Sequence, residues 1–179
     1  MQKARKYNFG TICLHGGRPE DLRSHNIPIE RSASWEARND DEFNAALAGE
    51  IPIYGRLSSS ATVRYVERKI CAMETLTMDG GKSEARLRAD GMNAIAMALY
   101  GALRIPGDHA IIIGPVYGGT YDLINDLTRL GFQFTFLAAH DPDLATKVWD
   151  GITERTKIVH GEITTNPTID LWDVPAVSE

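Results

Sequence analysis

The sequence is poor in cysteine and has no long apolar run. Its two cysteines, Cys13 and Cys71, are far apart and form neither a CxxC motif nor a cysteine/histidine pair at zinc-ligand spacing. This argues against a zinc site and against a disulfide scaffold. No apolar stretch approaches the roughly 20 residues of a membrane span, and the amino-terminal stretch MQKARKYNFG lacks the apolar segment of a signal peptide. We therefore expect a cytoplasmic protein with no membrane partner.

Clusters of basic residues and the glycine motif of dinucleotide-binding proteins are also missing. The formal net charge is -5, with no basic cluster, so we expect no nucleic-acid partner. No GxGxxG motif follows a predicted strand, which makes a Rossmann nucleotide-binding module the least favoured function. Hydrophobic residues, in contrast, make up 43% of the 179 residues, which is enough to form a buried core.

The stretch from Asp108 to Leu123, DHAIIIGPVYGGTYDL, combines a strand, a glycine-rich turn and a helix start. Residues Ala110 to Ile113 are apolar without polar alternation, which predicts a central strand of a parallel sheet, buried on both faces. Ligands of such sheets bind where strand carboxyl ends meet helix amino ends. Tyr117 lies there, so it either stacks on a planar ligand beside an anion held by the helix start, or simply packs in a loop.

Strand and helix patterns alternate along the chain from residue 85 onward. A predicted strand from Ala85 to Ala89 precedes Gly91 and an amphipathic helix. This strand, glycine and helix start form a second candidate anion site, although the same pattern recurs wherever an α/β turn is tight. The alternation predicts an α/β fold with a mainly parallel sheet. Its later members are a strand from Phe132 to Leu137, a helix from Pro142 to Ile152 and a strand from Ile158 to His160.

The amino-terminal part of the chain has a different character. In residues 1–50, prolines and paired glycines interrupt any long element, so we predict an N-terminal arm with one short helix from Asp40 to Ala48. The main domain is predicted to begin at residue 51. It starts with a loop and a helix from Val63 to Leu76, in which the apolar residues at helical spacing are Val66, Ile70 and Met73.

Two groups of polar residues have more than one interpretation. Tyr54 and Arg56 offer a hydroxyl and a planar guanidinium fork that suit a phosphate or carboxylate, or they belong to a solvated surface loop. Asn166 follows a predicted strand and precedes Pro167. Its amide either contacts a bound ring or substrate, or caps its own backbone in an Asx turn.

Seven short motifs follow one another along the chain. They are LHGG at Leu14 to Gly17, YGR at Tyr54 to Arg56, GMNAI at Gly91 to Ile95, PGDHAI at Pro106 to Ile111, YGGTYDL at Tyr117 to Leu123, TKIV at Thr156 to Val159 and ExxxNP at Glu162 to Pro167. Each motif is weak by itself, but together they cover nearly the whole sequence. Their order and approximate spacing resemble the pyridoxal-phosphate enzymes of cysteine and methionine metabolism, such as cystathionine γ-synthase, the cystathionine lyases and methionine γ-lyase.

The resemblance implies a cofactor, pyridoxal 5'-phosphate (PLP), and a fold-type I large domain of which residues 51–179 would form the first part. The backbone N–H groups of Gly91 and Met92 would bind the cofactor phosphate. Tyr117 would stack on the pyridine ring, and Asn166 would lie near the phenolic oxygen.

The resemblance also implies that the site is shared and incomplete. Tyr54 and Arg56 would reach the phosphate of a neighbouring subunit, so the site needs an oligomer. In the family, the aspartate at the pyridine nitrogen, the lysine that forms the Schiff base and the small carboxyl-terminal domain all come after the point that corresponds to Glu179. Among the lysines present, Lys157 has a Thr-Lys context, but it aligns with a strand start. We therefore assign no catalytic residue to this chain and expect turnover only with a partner that supplies the lysine.

Several departures from the family pattern indicate a diverged member. Ala89-Asp90 replaces the small hydroxyl residues that usually precede Gly-Met, and the Asp90 carboxylate should weaken phosphate binding. Arg86 and Arg88 are unusual in a strand that is normally apolar. After YGR, the usual Asn-Pro is replaced by LSSSAT.

The reaction that the resemblance implies is elimination or replacement at the β or γ carbon of a sulfur-containing or O-activated amino acid, the chemistry of trans-sulfuration. Three explanations of the short sequence stay open: a piece of a longer protein, a split enzyme completed by a second polypeptide, and a non-catalytic pseudoenzyme subunit that stabilises an active homologue. We expect Trp172, Val174 and Val177 to form an apolar patch that a companion covers.

Overall fold

The described part of the first half of the chain contains helices joined by long loops, whereas the second half contains a parallel sheet. The structure, a computed structural model, describes residues 7–20, 22–55, 60–77 and 79–178. The chain divides into two units, Met1–Leu87 and Arg88–Glu179, and the domain boundary at residue 51 stays a prediction. No helix in the described ranges combines the length and the apolar character needed to cross a membrane.

The described residues of the first unit form three helices, α1 (Phe9–His15), α2 (Asp40–Leu47) and α3 (Ala61–Thr75). The helices predicted over α2 and α3 are confirmed to within two residues at each end, whereas α1 was not predicted. Each helix begins after a residue whose side-chain oxygen accepts a hydrogen bond from an N–H group of the first turn. These pairs are Asn8 with Thr11 (2.8 Å), Asn39 with Glu42 (2.9 Å) and Ser60 with Val63 (3.2 Å).

The LHGG motif ends α1 and brings the chain close to the backbone of α3. Gly17 has a φ of +69°, and a Cβ atom there would lie 2.5 Å from backbone atoms of Arg68 and Lys69, so a larger residue does not fit. The Lys69 ammonium donates to the carbonyl oxygens of Cys13 (2.7 Å) and Leu14 (2.9 Å). These bonds satisfy the end of α1, and the first part of the predicted arm is thereby attached to α3.

The second unit is a three-stranded parallel sheet with helices on both faces. The strand order is β2-β1-β3, and every residue of β1 is buried, which confirms the predicted central strand. The strand and helix alternation predicted after residue 108 is also confirmed. In chain order the elements are α4 (Gly91–Ala102), β1 (His109–Gly114), α5 (Gly118–Arg129), β2 (Gln133–Ala138), α6 (Leu144–Gly151), β3 (Thr156–Gly161) and α7 (Val174–Ser178).

Alternate residues of β1 face two separate cores, as expected of a strand covered on both sides. On one face, Ala110 and Ile112 pack with residues of α4 and α5. On the other face, Ile111 and Ile113 pack with residues of α6. The buried partners are Ile95, Leu99, Ile124 and Leu127 on the first face, and Leu144 and Val148 on the second.

A network of hydrogen bonds closes the amino-terminal edge of the sheet. His109, at the start of β1, shares one bond with the hydroxyl of Thr156 on β3 (Nδ1, 2.8 Å) and one with the hydroxyl of Thr135 on β2 (Nε2, 2.9 Å). Burial lowers the pKa of His109 below its ordinary value. The carboxylate of Asp108 accepts the N–H groups of the preceding turn, from Arg104 (2.8 Å) and Ile105 (3.0 Å), and these bonds are the main reason that its pKa is lowered. This network gives a structural role to the Asp-His pair of the PGDHAI motif.

Two sequence-based expectations are wrong. The segment from Ala85 to Ala89 is not a strand, because no strand in the described residues lies beside it to form a ladder. The N–H of Leu87 instead donates to the Glu67 carboxylate (2.8 Å). The predicted apolar patch is also reduced, since Trp172 and Val177 pack against the core that contains Ile111 and Ile113.

Candidate functional site

The side chain of Glu162 joins the carboxyl-terminal ends of β1 and β3. Glu162 follows β3 directly. Its Oε2 accepts a hydrogen bond from the N–H of Tyr117 (2.8 Å), and its Oε1 accepts one from the hydroxyl of Thr120 (2.7 Å). Tyr117 is the residue before α5, and Thr120 lies in the first turn of α5, where it is 1% exposed. The start of α5 is therefore fixed to a residue 45 positions away in the chain.

The starts of α4 and α5 lie side by side. A Cβ atom on Gly119 would come within 2.9 Å of both the Met92 sulfur and a ring carbon of Tyr117. Only a glycine leaves room for these two side chains to meet over the first turn of α5. The Tyr117 ring is 51% exposed, so part of its surface is open to a ligand.

Asp90 caps the first turn of α4 and places a carboxylate there. Its Oδ1 accepts the N–H of Asn93 at 2.7 Å. The N–H groups of Gly91 and Met92 have no hydrogen-bond partner within the described part of the chain, and such first-turn groups attract an anion. The same helix start therefore offers two free donors and one negative charge.

Asn166 lies beside the turn between β1 and α5. Its N–H donates to the carbonyl oxygen of Pro115 (3.4 Å). The preceding residue, Thr165, is buried and holds the turn after β3, because its hydroxyl accepts the N–H of Asp170 (2.7 Å). The Asn166 side chain is exposed, so its amide is available to a ligand at this edge of the sheet.

The residues around Glu162 hold it in place and leave one buried nitrogen without a partner. The carbonyl oxygen of Glu162 accepts the indole N–H of Trp172 (3.2 Å), and a Cβ atom on Gly161 would lie 2.5 Å from the Trp172 ring. His160, two residues before Glu162, has a buried Nε2 with no partner among the described residues. Burial lowers the pKa of His160, and the charge of Glu162 opposes that shift only in part.

The structure thus brings four of the predicted site residues to one edge of the sheet. They are Gly91, Met92, Tyr117 and Asn166. Free helix N–H groups suit a phosphate, an exposed aromatic face suits a planar ring, and an amide suits a phenolic oxygen or carboxylate. PLP combines a phosphate, a planar ring and a phenolic oxygen, so these residues fit it. Among the described residues at this edge, the Asp90 carboxylate opposes the phosphate.

The other two predicted residues do not belong to the second unit. Tyr54 lies in the first unit, where it forms an antiparallel bridge with Ser34, and Arg56 lies outside the described residues. Lys157 is at the opposite edge of the sheet, as the second residue of β3, and its ammonium donates to the carbonyl oxygen of Glu154 (3.0 Å).

The connection between Glu162, Thr120 and the Tyr117 backbone was not predicted from the sequence. Glu162 was identified only as part of the ExxxNP motif, at the carboxyl end of a strand. The available signal was an acidic residue directly after one strand of a parallel sheet and a threonine in the first turn after the neighbouring strand, because strand ends of this kind meet at one edge.

Comparison with known proteins agrees with this geometry. The model of the family described as Cys/Met metabolism PLP-dependent enzymes matches residues 10–179. The chain is 30% identical over 181 residues to the O-acetyl-L-homoserine sulfhydrylase of Corynebacterium glutamicum, with 98% of this chain and 39% of that protein covered. It is 40% identical over 172 residues to the cystathionine gamma-synthase of Mycobacterium bovis, with 94% and 40% covered.

Solved structures give the same result. The chain superposes on a cystathionine gamma-lyase from Lactobacillus plantarum, complexed with L-serine, with a TM-score of 0.66 and 29% identity over 96% of this chain and 41% of that one. For a Campylobacter jejuni protein described as an O-acetylhomoserine (thiol)-lyase, which carries N'-pyridoxyl-lysine-5'-monophosphate, the TM-score is 0.68 at 28% identity, over 94% and 40%. The chain spans about two fifths of the length of the relatives it matches.

Proposed function

Because the chain belongs to the Cys/Met metabolism PLP-dependent enzyme family, we propose that it is the amino-terminal portion, or a split subunit, of a PLP-dependent lyase or transferase. The proposed reaction is β- or γ-elimination or replacement on a sulfur-containing or O-activated amino acid, as in trans-sulfuration. The chain would work in a cytoplasmic oligomer and be active only with a partner chain that supplies the lysine that forms the Schiff base.

The observation that carries this proposal is the meeting of the α4 start, the Tyr117 ring and Asn166 at one edge of the sheet. The N–H groups of Gly91 and Met92 would hold the cofactor phosphate, the exposed ring of Tyr117 would cover one face of the pyridine, and the Asn166 amide would orient the phenolic oxygen. When bound, PLP withdraws electrons from the α-carbon of an amino acid. This chain's share is to hold and orient the cofactor.

We place Tyr54 and Arg56 in the site of a neighbouring subunit. The Asp90 carboxylate at the α4 start increases the need for a cation from elsewhere, and a guanidinium fork suits a phosphate. Replacing Arg56 with Ala should weaken PLP retention about tenfold to a hundredfold, since a hydrogen bond to a charged group contributes about 1.5–3 kcal/mol. Arg56→Lys should retain PLP better than Arg56→Ala but less well than wild type, because the fork is lost.

A mixing experiment tests whether Arg56 acts across the subunit boundary. One chain carries Arg56→Ala, and a second chain has its own α4 start disabled by Gly91→Pro. A mixed oligomer would contain one site with both an intact α4 start and an intact Arg56, so PLP retention should partly return. Retention that stays at the level of the separate variants would show that Arg56 acts within its own subunit.

Asp90 favours a second candidate function, a non-catalytic pseudoenzyme subunit. A carboxylate that already occupies the first turn of α4 repels a phosphate dianion. A subunit with such a helix start could stabilise an active homologue without binding a cofactor of its own.

The experiment that separates the two functions is purification of the tagged chain from its native cells, followed by mass spectrometry of the proteins that accompany it. PLP is measured in the purified complex by its absorbance. A companion that carries the lysine that forms the Schiff base, together with bound PLP, would support the split enzyme. A complete homologue with one PLP per homologue chain would support the pseudoenzyme. A chain that purifies alone, as a cooperatively melting monomer without PLP, would contradict both.

A further inference from the structure

Glu162 is the only side chain that fixes the start of α5 within the described residues. Tyr117 occupies the cap position of this helix, and its side chain makes no capping hydrogen bond. The cap is supplied by Glu162 instead, through the N–H of Tyr117 and the hydroxyl of Thr120. Hydrogen bonds to an ionised carboxylate are among the strong ones in proteins.

Glu162 is itself held in place by the elements around it. Glu162 follows a strand paired with β1 as far as Gly161, whose partner is Ile113. Its carbonyl oxygen is held by the Trp172 indole. At the other end, Thr120 is almost completely buried. The hydrogen bonds of Glu162 therefore connect the fixed end of β3 to the buried first turn of α5.

Fixing the Tyr117 backbone also restricts its ring. The ring lies against the first turn of α5, at the position where Gly119 has no side chain. A shift of the Tyr117 backbone away from β3 would therefore move the exposed ring face that we propose to cover the cofactor.

We propose that Glu162 is a positioning residue that holds the Tyr117 ring in the orientation needed to stack on the cofactor. This inference rests on the proposed function, because the ring is the one placed against PLP there. Glu162 need not touch the cofactor or the substrate, since it acts through the Tyr117 backbone and Thr120.

The first test measures the ring directly and does not need the cofactor. The chain, in the complex in which it purifies, is labelled with fluorotyrosine, and the Tyr117 signal is assigned with Tyr117→Phe. Glu162→Ala should shift the Tyr117 signal but leave that of Tyr121, one turn further along α5. Thr120→Val should do the same to a smaller extent, and Thr120→Ser, which keeps the hydroxyl, should restore the wild-type signal. Glu154→Ala, at the other end of the same strand, is the matched control and should change neither signal.

The second test is a double-mutant cycle on PLP retention. Glu162→Ala should weaken retention about tenfold or more when Tyr117 is present. In a Tyr117→Ala chain the same substitution should have almost no further effect, because a residue that acts through the ring loses its effect when the ring is absent. Glu162→Gln keeps one acceptor oxygen, so its PLP retention should lie between that of wild type and that of Glu162→Ala. It also provides the test if Glu162→Ala does not fold.

The outcomes distinguish this inference from the proposed function. An equal loss of retention in both backgrounds, or an unchanged Tyr117 signal in Glu162→Ala and Glu162→Gln, would overturn the positioning role. A simultaneous shift of the Tyr117 and Tyr121 signals would show a general effect on α5 and would also overturn it. If the wild-type complex retains no PLP, the proposed function fails, and the fluorine signals still decide whether Glu162 positions the ring.

Discussion

The two edges of the parallel sheet use their polar groups in opposite ways. At the amino-terminal edge, His109 is bonded to a hydroxyl on each side and Asp108 to two backbone N–H groups. At the carboxyl-terminal edge, the first N–H groups of α4 have no partner within the described residues, and the Tyr117 ring and the Asn166 amide face solvent.

The amino-terminal edge therefore serves mainly to stabilise the fold, and the carboxyl-terminal edge mainly to bind a ligand. Buried polar groups that satisfy one another stabilise a fold and leave nothing for a ligand. Groups that the fold holds in place but does not satisfy are available to a ligand. Substitutions at the first edge should therefore change the free energy of unfolding, and substitutions at the second should change ligand retention.

The largest expected effect is at the amino-terminal edge. Replacing His109 with Leu removes two hydrogen bonds. It leaves the hydroxyl of Thr135 without this partner, while that of Thr156 keeps its bonds to Thr153, so the free energy of unfolding should fall by about 2–4 kcal/mol. Urea unfolding followed by circular dichroism measures it. Thr135→Val removes one of the two bonds, so it should lower the free energy of unfolding by less than His109→Leu does. If His109→Leu were as stable as wild type, the closed network would not be a stabilising element.

At the carboxyl-terminal edge, Tyr117→Ala should weaken PLP retention about tenfold, because the stacking contact is lost. Tyr117→Phe keeps the ring and should be much milder. Neither should change the urea midpoint by much, since the side chain is half exposed. PLP retention during dialysis, measured by absorbance, provides the comparison, and equal losses for Ala and Phe would count against stacking.

A smaller effect, of opposite sign, is expected at Asp90. Asp90→Asn keeps an oxygen that can accept the Asn93 N–H but removes the charge, so inorganic phosphate and PLP should bind roughly fivefold more tightly. Asp90→Ser restores the kind of residue usual in the family and should give a similar gain. Titration with each ligand by calorimetry measures both. No gain in either variant would mean that the carboxylate does not face the phosphate.

The smallest expected effect is a pH dependence of stability. Burial lowers the pKa of His109 and His160 below the ordinary value of 6.5. The unfolded chain therefore takes up protons first as the pH falls through 6.5, and stability, fully present above that pH, should decrease below it. Urea midpoints across this range measure the loss. In His109→Leu the loss of stability at low pH should be smaller. If stability depended on pH as steeply in this variant as in wild type, groups other than His109 would cause the loss.

The sequence predicts those parts of the fold that depend on local patterns. The apolar run of β1 and the glycine pair after it are sufficient to place a central strand and the start of α5, because burial on both faces and a tight turn each require those residue types. The four site residues of the second unit were predicted from the same strand and helix ends, together with the family resemblance.

Parts that depend on contacts distant in the chain were not predicted. The predicted face of α3 includes Val66, which is 40% exposed, whereas Glu67 and Cys71 are buried. These two residues face the segments that contain Leu87 and Gly80, respectively, and periodicity within α3 carries no information about those segments. Helix α1 was missed for a similar reason, since a seven-residue helix gains most of its stability from packing rather than from its own sequence.

The indole of Trp172, bonded to the carbonyl of Glu162 and packed on Gly161, has a practical consequence. An indole held this close to the carboxyl-terminal edge is a natural optical reporter, because PLP absorbs light in the range where tryptophan emits. Energy transfer from Trp172 would quench its fluorescence as the cofactor binds, and Trp35 and Trp149 can be replaced with Phe to isolate the signal. Occupancy of the edge could then be followed in solution, in real time and without a label.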